Sequence, residues 1–376
     1  MLLRNTKVAI IGAGPVGLTM AKLLQQGGAT AIVYERDVNA AARIWGGTLD
    51  LHKKTGQRAL KKAGLLDQYF ALSTAMGIKF ADQRGTILVT KTPTAESQYD
   101  NPEINRNALR TMLLQSLLPG TIHWNKRLTT LETSDRKWIL GFLDHTQAAV
   151  DVVILADGGL SKMRHFVTET SVEETGSFIV QGDVSNPEIN CPELYRLCDE
   201  HRLMVAYGGY LLVINPLNNG TMTYGLVFKK PAEWSGHHPL DFNNRLAVIE
   251  YFSEQLDGWS DLYKGLFKVT EKFVVLPTRK LPLHNTWKSN RPLPITCIGD
   301  AAHLMPPFAG MGVNIGLLDA MILSENLTER NFASINDAIF DYEQQMFVYA
   351  SAASKQSSEN EMKMHDAGFQ FQTLME

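Results

Sequence analysis

Val8–Asp37, VAIIGAGPVGLTMAKLLQQGGATAIVYERD, is the stretch that decides the fold. With Lys7 it opens on KVAII, a β-branched run suited to a buried parallel strand. Gly12-Ala13-Gly14-Pro15-Val16-Gly17 follows as a G-x-G-x-x-G, and then a helical stretch carries Leu18, Ala21 and Leu24 on one face. Gly12 permits the tight turn, Gly14 lets backbone approach a pyrophosphate, and Gly17 lets the helix lie on the strand. The helix N-terminus presents free N–H groups and a partial positive charge to the phosphates. AIVYE is a second strand that ends on Glu35, placed to bind ribose hydroxyls. Such an acid favours an unphosphorylated adenosine ribose, hence FAD or NAD over NADP as the tightly held ligand. Arg36 is free to meet a second, phosphorylated nucleotide or simply to face solvent.

Outward from this unit, the 376-residue chain is long enough for two domains, and 44% hydrophobic with 20% charged residues is a globular balance. A net charge of −3, without a dense Lys/Arg run, argues against a nucleic-acid partner. Three cysteines, Cys191, Cys198 and Cys297, form no CxxC; they read as small buried hydrophobes in a reducing compartment. No apolar run approaches the ~18 residues of a membrane helix, and a strand starting near Lys7 leaves no room for a signal peptide. A cytoplasmic protein with no membrane partner is the expectation. His237-His238 lies in a Gly/Pro-flanked loop and reads as solvated.

The choice between NAD and FAD comes from Pro294–Leu327, PITCIGDAAHLMPPFAGMGVNIGLLDAMILSENL. ITCIG is another buried strand, and Asp300 stands at its C-terminal end, where ligands gather in open α/β sheets. Pro306-Pro307 forces an extended turn, and Gly310 and Gly312 let backbone lie flat against a planar group. A helix begins at Val313-Asn314, and its start would stabilise negative charge on a reduced flavin, with Asp300 accepting from ribityl hydroxyls. NAD needs no second platform so far downstream. His303, inside this segment, is a candidate base, although a structural hydrogen bond is the simpler reading.

GDAAHLMPPFAGMGVN resembles the second flavin motif of class A flavoprotein monooxygenases, the aromatic-hydroxylase family. VVILADGGLSKMRHF, with Asp157-Gly158 after a strand, resembles their third. EINRNALR around Arg106, GGTLDLH from Gly46, WKSNRPLPIT from Trp287 and DYEQQMF from Asp341 are similar to the TetX-type tetracycline-inactivating monooxygenases. The resemblance implies tightly bound FAD, contacted also by Asp50, Arg106, Asp157, Gly158 and Pro307. It implies NADPH as a transient co-substrate near Arg36 and Asp157, and O₂ adding to the flavin as a C4a-hydroperoxide that hydroxylates an electron-rich carbon. It further implies that Gln181 and Arg202 hold polar groups of a tetracycline-like substrate, that Met204, Asn215, Gly225, Phe308 and Met364 form the pocket wall, and that the enzyme is a monomer.

Four positions depart from the TetX pattern. Thr223 stands for a histidine, Val213 for a phenylalanine, Met311 for a glutamine, and Asp157 for an asparagine. The alternative is therefore the same chemistry on another aromatic or enolic polycyclic natural product. A halogenase would need a W-x-W-x-I-P-type segment, which the sequence lacks. A non-catalytic flavin protein or an NAD-dependent dehydrogenase are the remaining readings.

The fold class expected is α/β: a Rossmann-type FAD-binding domain with an inserted, mostly antiparallel substrate domain and a long C-terminal bridging helix. Residues 1–72, 101–171 and 284–330 form the first domain; 73–100 and 172–283 form the second. GSFIVQGDV, RLMVAYGGYLLVINP, TMTYGLVF and KFVVLPTR alternate as antiparallel strands, with Asn219-Gly220 as a hairpin turn. Residues 331–376 carry the helix, opened by a Ser334/Asp337 capping pair and striped by Ile335, Ile339, Tyr342, Met346 and Tyr349.

Overall fold

Lys7–Ile11 pairs in parallel with Thr30–Tyr34 on one side and Val152–Leu155 on the other. Ile295–Cys297 and the short Ile122–His123 extend this sheet to five parallel strands, in the order 295–297, 152–155, 7–11, 30–34, 122–123. The computed structural model describes residues 2–42, 47–231, 234, 240–284 and 287–374. Gly46 and His237-His238 lie outside the described residues. Helix Pro15–Gln26 crosses over from the first strand to the second, and it is buried on more than one face: Leu18, Met20, Ala21, Leu23 and Leu24 are all covered. The reason is that helix Gly312–Thr328 packs on its other side, where a side chain at Gly316 would run into Val16.

A seven-stranded sheet forms the second layer, ordered 273–280, 173–185, 221–229, 210–218, 202–207, 78–81, 87–91. It is antiparallel except where Arg202–Val205 runs parallel to Ile78–Ala81. The hairpin Tyr210–Asn218/Thr221–Lys229 turns on Asn219 (φ 53°) and Gly220 (φ 79°), both left-handed, as the two-residue loop demands. Helices Arg245–Gln255 and Asp261–Val269 cover one face of this sheet, burying Phe252, Tyr263 and Phe267 against Tyr224 and Phe228. The other face carries Ile179, Gln181, Met204 and Val213.

Between the two sheets runs a short antiparallel ribbon, Thr48–Asp50 against Glu103–Asn105. The C-terminal helix, Ile335–Met364, is capped by Ser334, whose hydroxyl accepts from Asp337 N–H at 3.1 Å. It fastens both sheets. Tyr342 donates to Cys297 O at 2.9 Å on the parallel sheet, and Glu343 accepts from Arg291 and Thr296 beside it. At its far end the buried Glu361 receives the hydroxyls of Thr175, Ser177 and Thr278 from the second sheet. Cys198 and Cys297 are buried as expected, and Cys191 is only partly so. Among the described residues no helix is long and apolar enough to cross a membrane.

Candidate functional site

The glycine-rich turn is held from below by its own chain. Gly12 sits at φ 108°, where a Cβ would lie 2.5 Å from Ala156 O, and a Cβ on Gly17 would lie 2.2 Å from Gly12 O. Gly14 differs: a Cβ there would meet nothing within 4 Å, because it faces the open groove. Glu35 is buried behind the turn and accepts the N–H groups of Ala13 (2.5 Å) and Asp37 (2.9 Å). Arg110 clamps the turn from the other side, donating to Ala13 O, Ala42 O and Asp37 Oδ2. The sequence reading singled out Arg106 and missed Arg110, which lies one turn further along the same helix and is buried. At this end of the groove an open cleft of about 530 Å³ is lined by Arg36, Asp37, Asn39, Ala41, Ala42 and Arg127. Arg127 too was absent from the expected set.

Two further turns close on the same groove. Asp157 follows the strand Val152–Leu155, and its Oδ1 is buried without a partner. Arg164 ties this turn to the next strand end, donating to Gly159 O and Ala301 O at 2.7 Å each. Asp300 is exposed to the groove, one residue beyond Gly299 (φ 61°). Behind it lies an apolar-walled polar knot: Asp319 accepts from Gly299 N–H (2.7 Å), from His303 Nε2 (2.6 Å) and from Tyr349 OH (2.5 Å). His303 and Asp319 have no exposed side-chain surface. Burial works against the imidazolium, and the Asp319 charge outweighs it, raising the proton affinity of His303. An imidazole so enclosed holds the turn in shape and does not reach a ligand, so the base reading of His303 is set aside.

Pro307–Ala309 forms a single 3₁₀ turn and Gly310 follows at φ 64°. Helix Gly312–Thr328 then starts with no side-chain cap, leaving its first N–H groups for a ligand. The C-terminal helix props this platform, Ser357 bonding Pro306 O and Asn360 donating to Phe308 O. Asn314, fully buried, joins the platform to the ribbon. Its Oδ1 accepts from His52 N–H (2.7 Å), and its Nδ2 donates to Asp50 O (3.0 Å) and Gly310 O (3.3 Å).

Platform, ribbon and second sheet enclose one cavity of about 420 Å³. All eight expected substrate positions line it: Gln181, Arg202, Met204, Asn215, Thr223, Gly225, Phe308 and Met364. So do Asp50, Arg106, Pro307 and Gly310. Gln181 and Arg202 thus face the cavity and not solvent. Their polar neighbours are already engaged, however. Asn215 accepts from Arg202 Nε (3.0 Å) and donates to Thr48 Oγ1 (2.7 Å). Thr223 donates to Asp183 (2.9 Å) and accepts from Asn218 (2.7 Å), turning a methyl toward Gly47. Arg202 also pairs with Glu103, a buried ribbon carboxyl whose pKa is pushed up by burial against the pull of Arg202. Thr48 of the ribbon and His52 just beyond it join the wall, and so do Ile179, Leu211, Val213 and Val227; of these only Val213 had drawn attention.

This geometry fits a long dinucleotide carrying a planar ring. An open Gly14, two uncapped helix starts and the orphaned Asp157 Oδ1 lie along one groove, and Arg106 Nε is buried and unpaired where that groove meets the cavity. Among the described residues no group of three metal-ligating side chains occurs. The class defined is a Rossmann-type flavoprotein with an enclosed chamber at the end of its dinucleotide groove. Residues 5–341 match the family described as the FAD binding domain, and the chain belongs to that family of class A, aromatic-hydroxylase-type FAD-dependent monooxygenases. Among curated relatives, Monooxygenase penA of Penicillium thymicola is 29% identical over 371 residues, covering 85% of this chain and 84% of that protein. Among solved structures, Klebsiella pneumoniae HpxO complexed with FAD and uric acid aligns with a TM-score of 0.79 at 19% identity, over 97% of this chain and 90% of that one. The tetracycline destructase Tet(51) aligns with a TM-score of 0.72 at 19% identity, over 95% and 90%.

Proposed function

We propose that this chain is an FAD-dependent, NADPH-using monooxygenase that hydroxylates, and so inactivates, tetracycline antibiotics. The observation that carries this reading is the cavity in which the platform of residues 307–314 faces an apolar wall bearing Gln181 and Arg202. When bound, the flavin supplies reduction by NADPH and transfer of one oxygen atom from O₂. The residues do the rest. Gly12, Gly14, Pro15 and Gly17 cradle the pyrophosphate; Glu35 and Asp300 serve the ribose and ribityl hydroxyls. Asp50, Arg106, Asp157, Gly158, Pro307, Gly310, Gly312, Val313 and Asn314 hold the ring and its chain. Arg36 meets the NADPH phosphate. Arg202 and Gln181 orient a planar polar edge, while Met204, Gly225, Phe308 and Met364 exclude water from the reacting carbon. The discontinuous division into residues 1–72, 101–171 and 284–330 against 73–100 and 172–283, a monomeric state and a cytoplasmic setting belong to the same proposal.

A second reading, another aromatic or enolic polycycle as the true substrate, is favoured by one feature. Asn215 and Thr223 spend their polar groups inside the wall, so fewer hydrogen bonds remain for a heavily oxygenated ligand. The deciding experiment is NADPH oxidation by the purified holoprotein with and without tetracycline, followed by product mass. Gain of one oxygen by the drug, matched to NADPH loss, supports the first reading. NADPH oxidation with peroxide release and intact drug moves the substrate to the second.

A further inference from the structure

The ribbon's Asp50 and His52 just beyond it bring an acid–base pair to the cavity, and the flavin reading gives work to Asp50 but none to His52. Asp50 ends its strand, and His52 follows two residues on with its ring turned back to the Asp50 carboxylate. His52 Nε2 lies 3.1 Å from Asp50 Oδ2. Asp50 is steadied by Asn101 Nδ2 at 3.2 Å, and the buried Asn314 pins both backbones. A ring nitrogen against a carboxylate carries the proton, so the opposite nitrogen, Nδ1, is the bare acceptor. Nδ1 has no partner among the described residues, and the side chain is 32% exposed, along the cavity that Arg202, Gln181 and Gly310 also line. The charged groups around it are Asp50 on its own segment, Glu103 from the paired strand, Arg202 from the second sheet and Arg106 from the helix that follows the ribbon. The platform contributes the neutral Asn314. Of the charged groups, Arg106 and Arg202 only donate, and Glu103, bonded to Arg202 through Oε1, lies behind the cavity lining.

We infer that His52 is the general base of this site, taking through Nδ1 the proton of a phenolic or enolic hydroxyl of the substrate, with Asp50 as its positioning residue. This rests on the monooxygenase reading above. The substrate O–H bond breaks, an N–H bond forms at Nδ1, and the electron pair stays on oxygen. Delocalised into the ring, that pair enriches the carbon due to receive an electrophilic oxygen. Nothing is oxidised or reduced in this step. The imidazolium is stabilised by Asp50 and returns its proton to solvent through the open side of the cavity. Hydrogen bonding to Asp50 raises the proton affinity of His52 despite burial, which suits a base working near neutrality.

The test uses the oxidised holoenzyme, without NADPH, and tetracycline as the probe. His52→Gln keeps a donor toward Asp50 and removes the base. In the wild type, the absorbance of bound tetracycline should show the ionised chromophore at a pH about one unit or more below that of the free drug, a tenfold bias. In the glutamine variant the ionisation should return to the free value, with FAD content and drug affinity within about threefold. Under turnover, kcat should fall by ~10²–10⁴-fold with KM nearly unchanged, and the acid limb of the wild-type pH profile should vanish. Asp50→Asn should shift that limb to lower pH. An unchanged bound-drug spectrum and an intact acid limb in His52→Gln would overturn the inference. Should the wild type not bind tetracycline, the drug reading fails by itself; the same titration with 4-nitrophenol then decides the base, an unshifted ionisation in the wild type refuting it.

Discussion

Gly14 and Gly17 are three residues apart in one motif, yet alanine should act on them in opposite ways. Gly14 has φ −75° and ψ 172°, a conformation open to any residue, and its Cβ would point into an empty groove. Gly14→Ala should therefore stabilise the apoprotein by about 0.4–1 kcal/mol, through a less flexible unfolded chain. Its methyl, however, stands where a pyrophosphate would meet the helix start. Losing one or two charge-assisted hydrogen bonds at about 1.5–3 kcal/mol each weakens binding by ~10²-fold. At a flavin concentration 100 times the wild-type Kd, ligand stabilisation then drops from about 2.7 to about 0.4 kcal/mol. Gly17→Ala places its Cβ 2.2 Å from Gly12 O, an overlap of backbone and not of a flexible tip, so the apoprotein itself should lose about 1–3 kcal/mol. Thermal melts of the apoproteins, repeated across an FAD titration, separate the two effects. Wild-type FAD affinity in Gly14→Ala, or an unshifted apoprotein melt in Gly17→Ala, would refute the assignment of one glycine to ligand and the other to packing.

Other residues give sharper contrasts between support and chemistry. His303→Asn should cost about 3 kcal/mol, because it strips a buried partner from Asp319, while kcat of the FAD-saturated protein changes little; a collapse of kcat at full flavin occupancy would restore His303 as a base. Thr223→Val should destabilise by about 1–3 kcal/mol by removing the buried hydroxyl that bonds Asp183 and Asn218 Nδ2, and leave the ligand Kd within about threefold. Glu343→Ala should cost about 3–5 kcal/mol in urea unfolding, since Arg291 would remain nearly buried without its carboxylate. For the Asp50–His52 pair the signs run in opposite directions. The His52 pKa is raised, so its contribution is full below the ordinary histidine range and fades as pH rises through the folded value. Burial tends to raise Asp50, but the His52 bond and charge outweigh it and lower its pKa, so its contribution is present above the ordinary aspartate range and fades as pH falls. NMR of the His52 ring should show titration above the free-histidine value, and Asp50→Asn should bring it down.

The parallel sheet was legible because its signals are local. KVAII, the glycine turn and AIVYE each state their conformation within a few residues, and VVIL maps onto Val152–Leu155 without error. The hairpin at Asn219-Gly220 was readable for the same reason. What stayed hidden depends on distant pairings. Nothing in TLD or EIN, each three residues long, announces that they pair across more than fifty residues. Nor does the alternation of Ile78–Ala81 reveal that its neighbour runs parallel. Arg110 and Arg164, which bolt one ligand turn to the next, look in sequence like ordinary helix and loop cations. The polar wall residues show the limit most clearly. That Asn215 and Thr223 face the cavity was expected from the family resemblance; that their hydrogen bonds are spent on Arg202, Thr48, Asp183 and Asn218 could not be.

Those spent bonds bear on how the cavity treats charge. Arg202 is fixed by Glu103 and Asn215 before any substrate arrives, so the orientation of its guanidinium is established in advance. Counting the charged groups on the cavity and its ribbon, Arg106 and Arg202 balance Asp50 and Glu103, with His52 neutral. A substrate arriving as an anion would have to compete with the buried Glu103 for Arg202 and would leave the enclosure with an excess negative charge. A neutral phenol or enol avoids that cost. If it passes its proton to His52 after docking, the new anion lies near Arg202 and the new cation lies against Asp50, and the net charge of the cavity does not change. Charge separation inside an already balanced enclosure is cheaper than importing charge from water. The substrate should therefore dock neutral and lose its proton only once bound, to His52. A wild-type affinity that rises as pH passes above the free drug's ionisation would contradict this account.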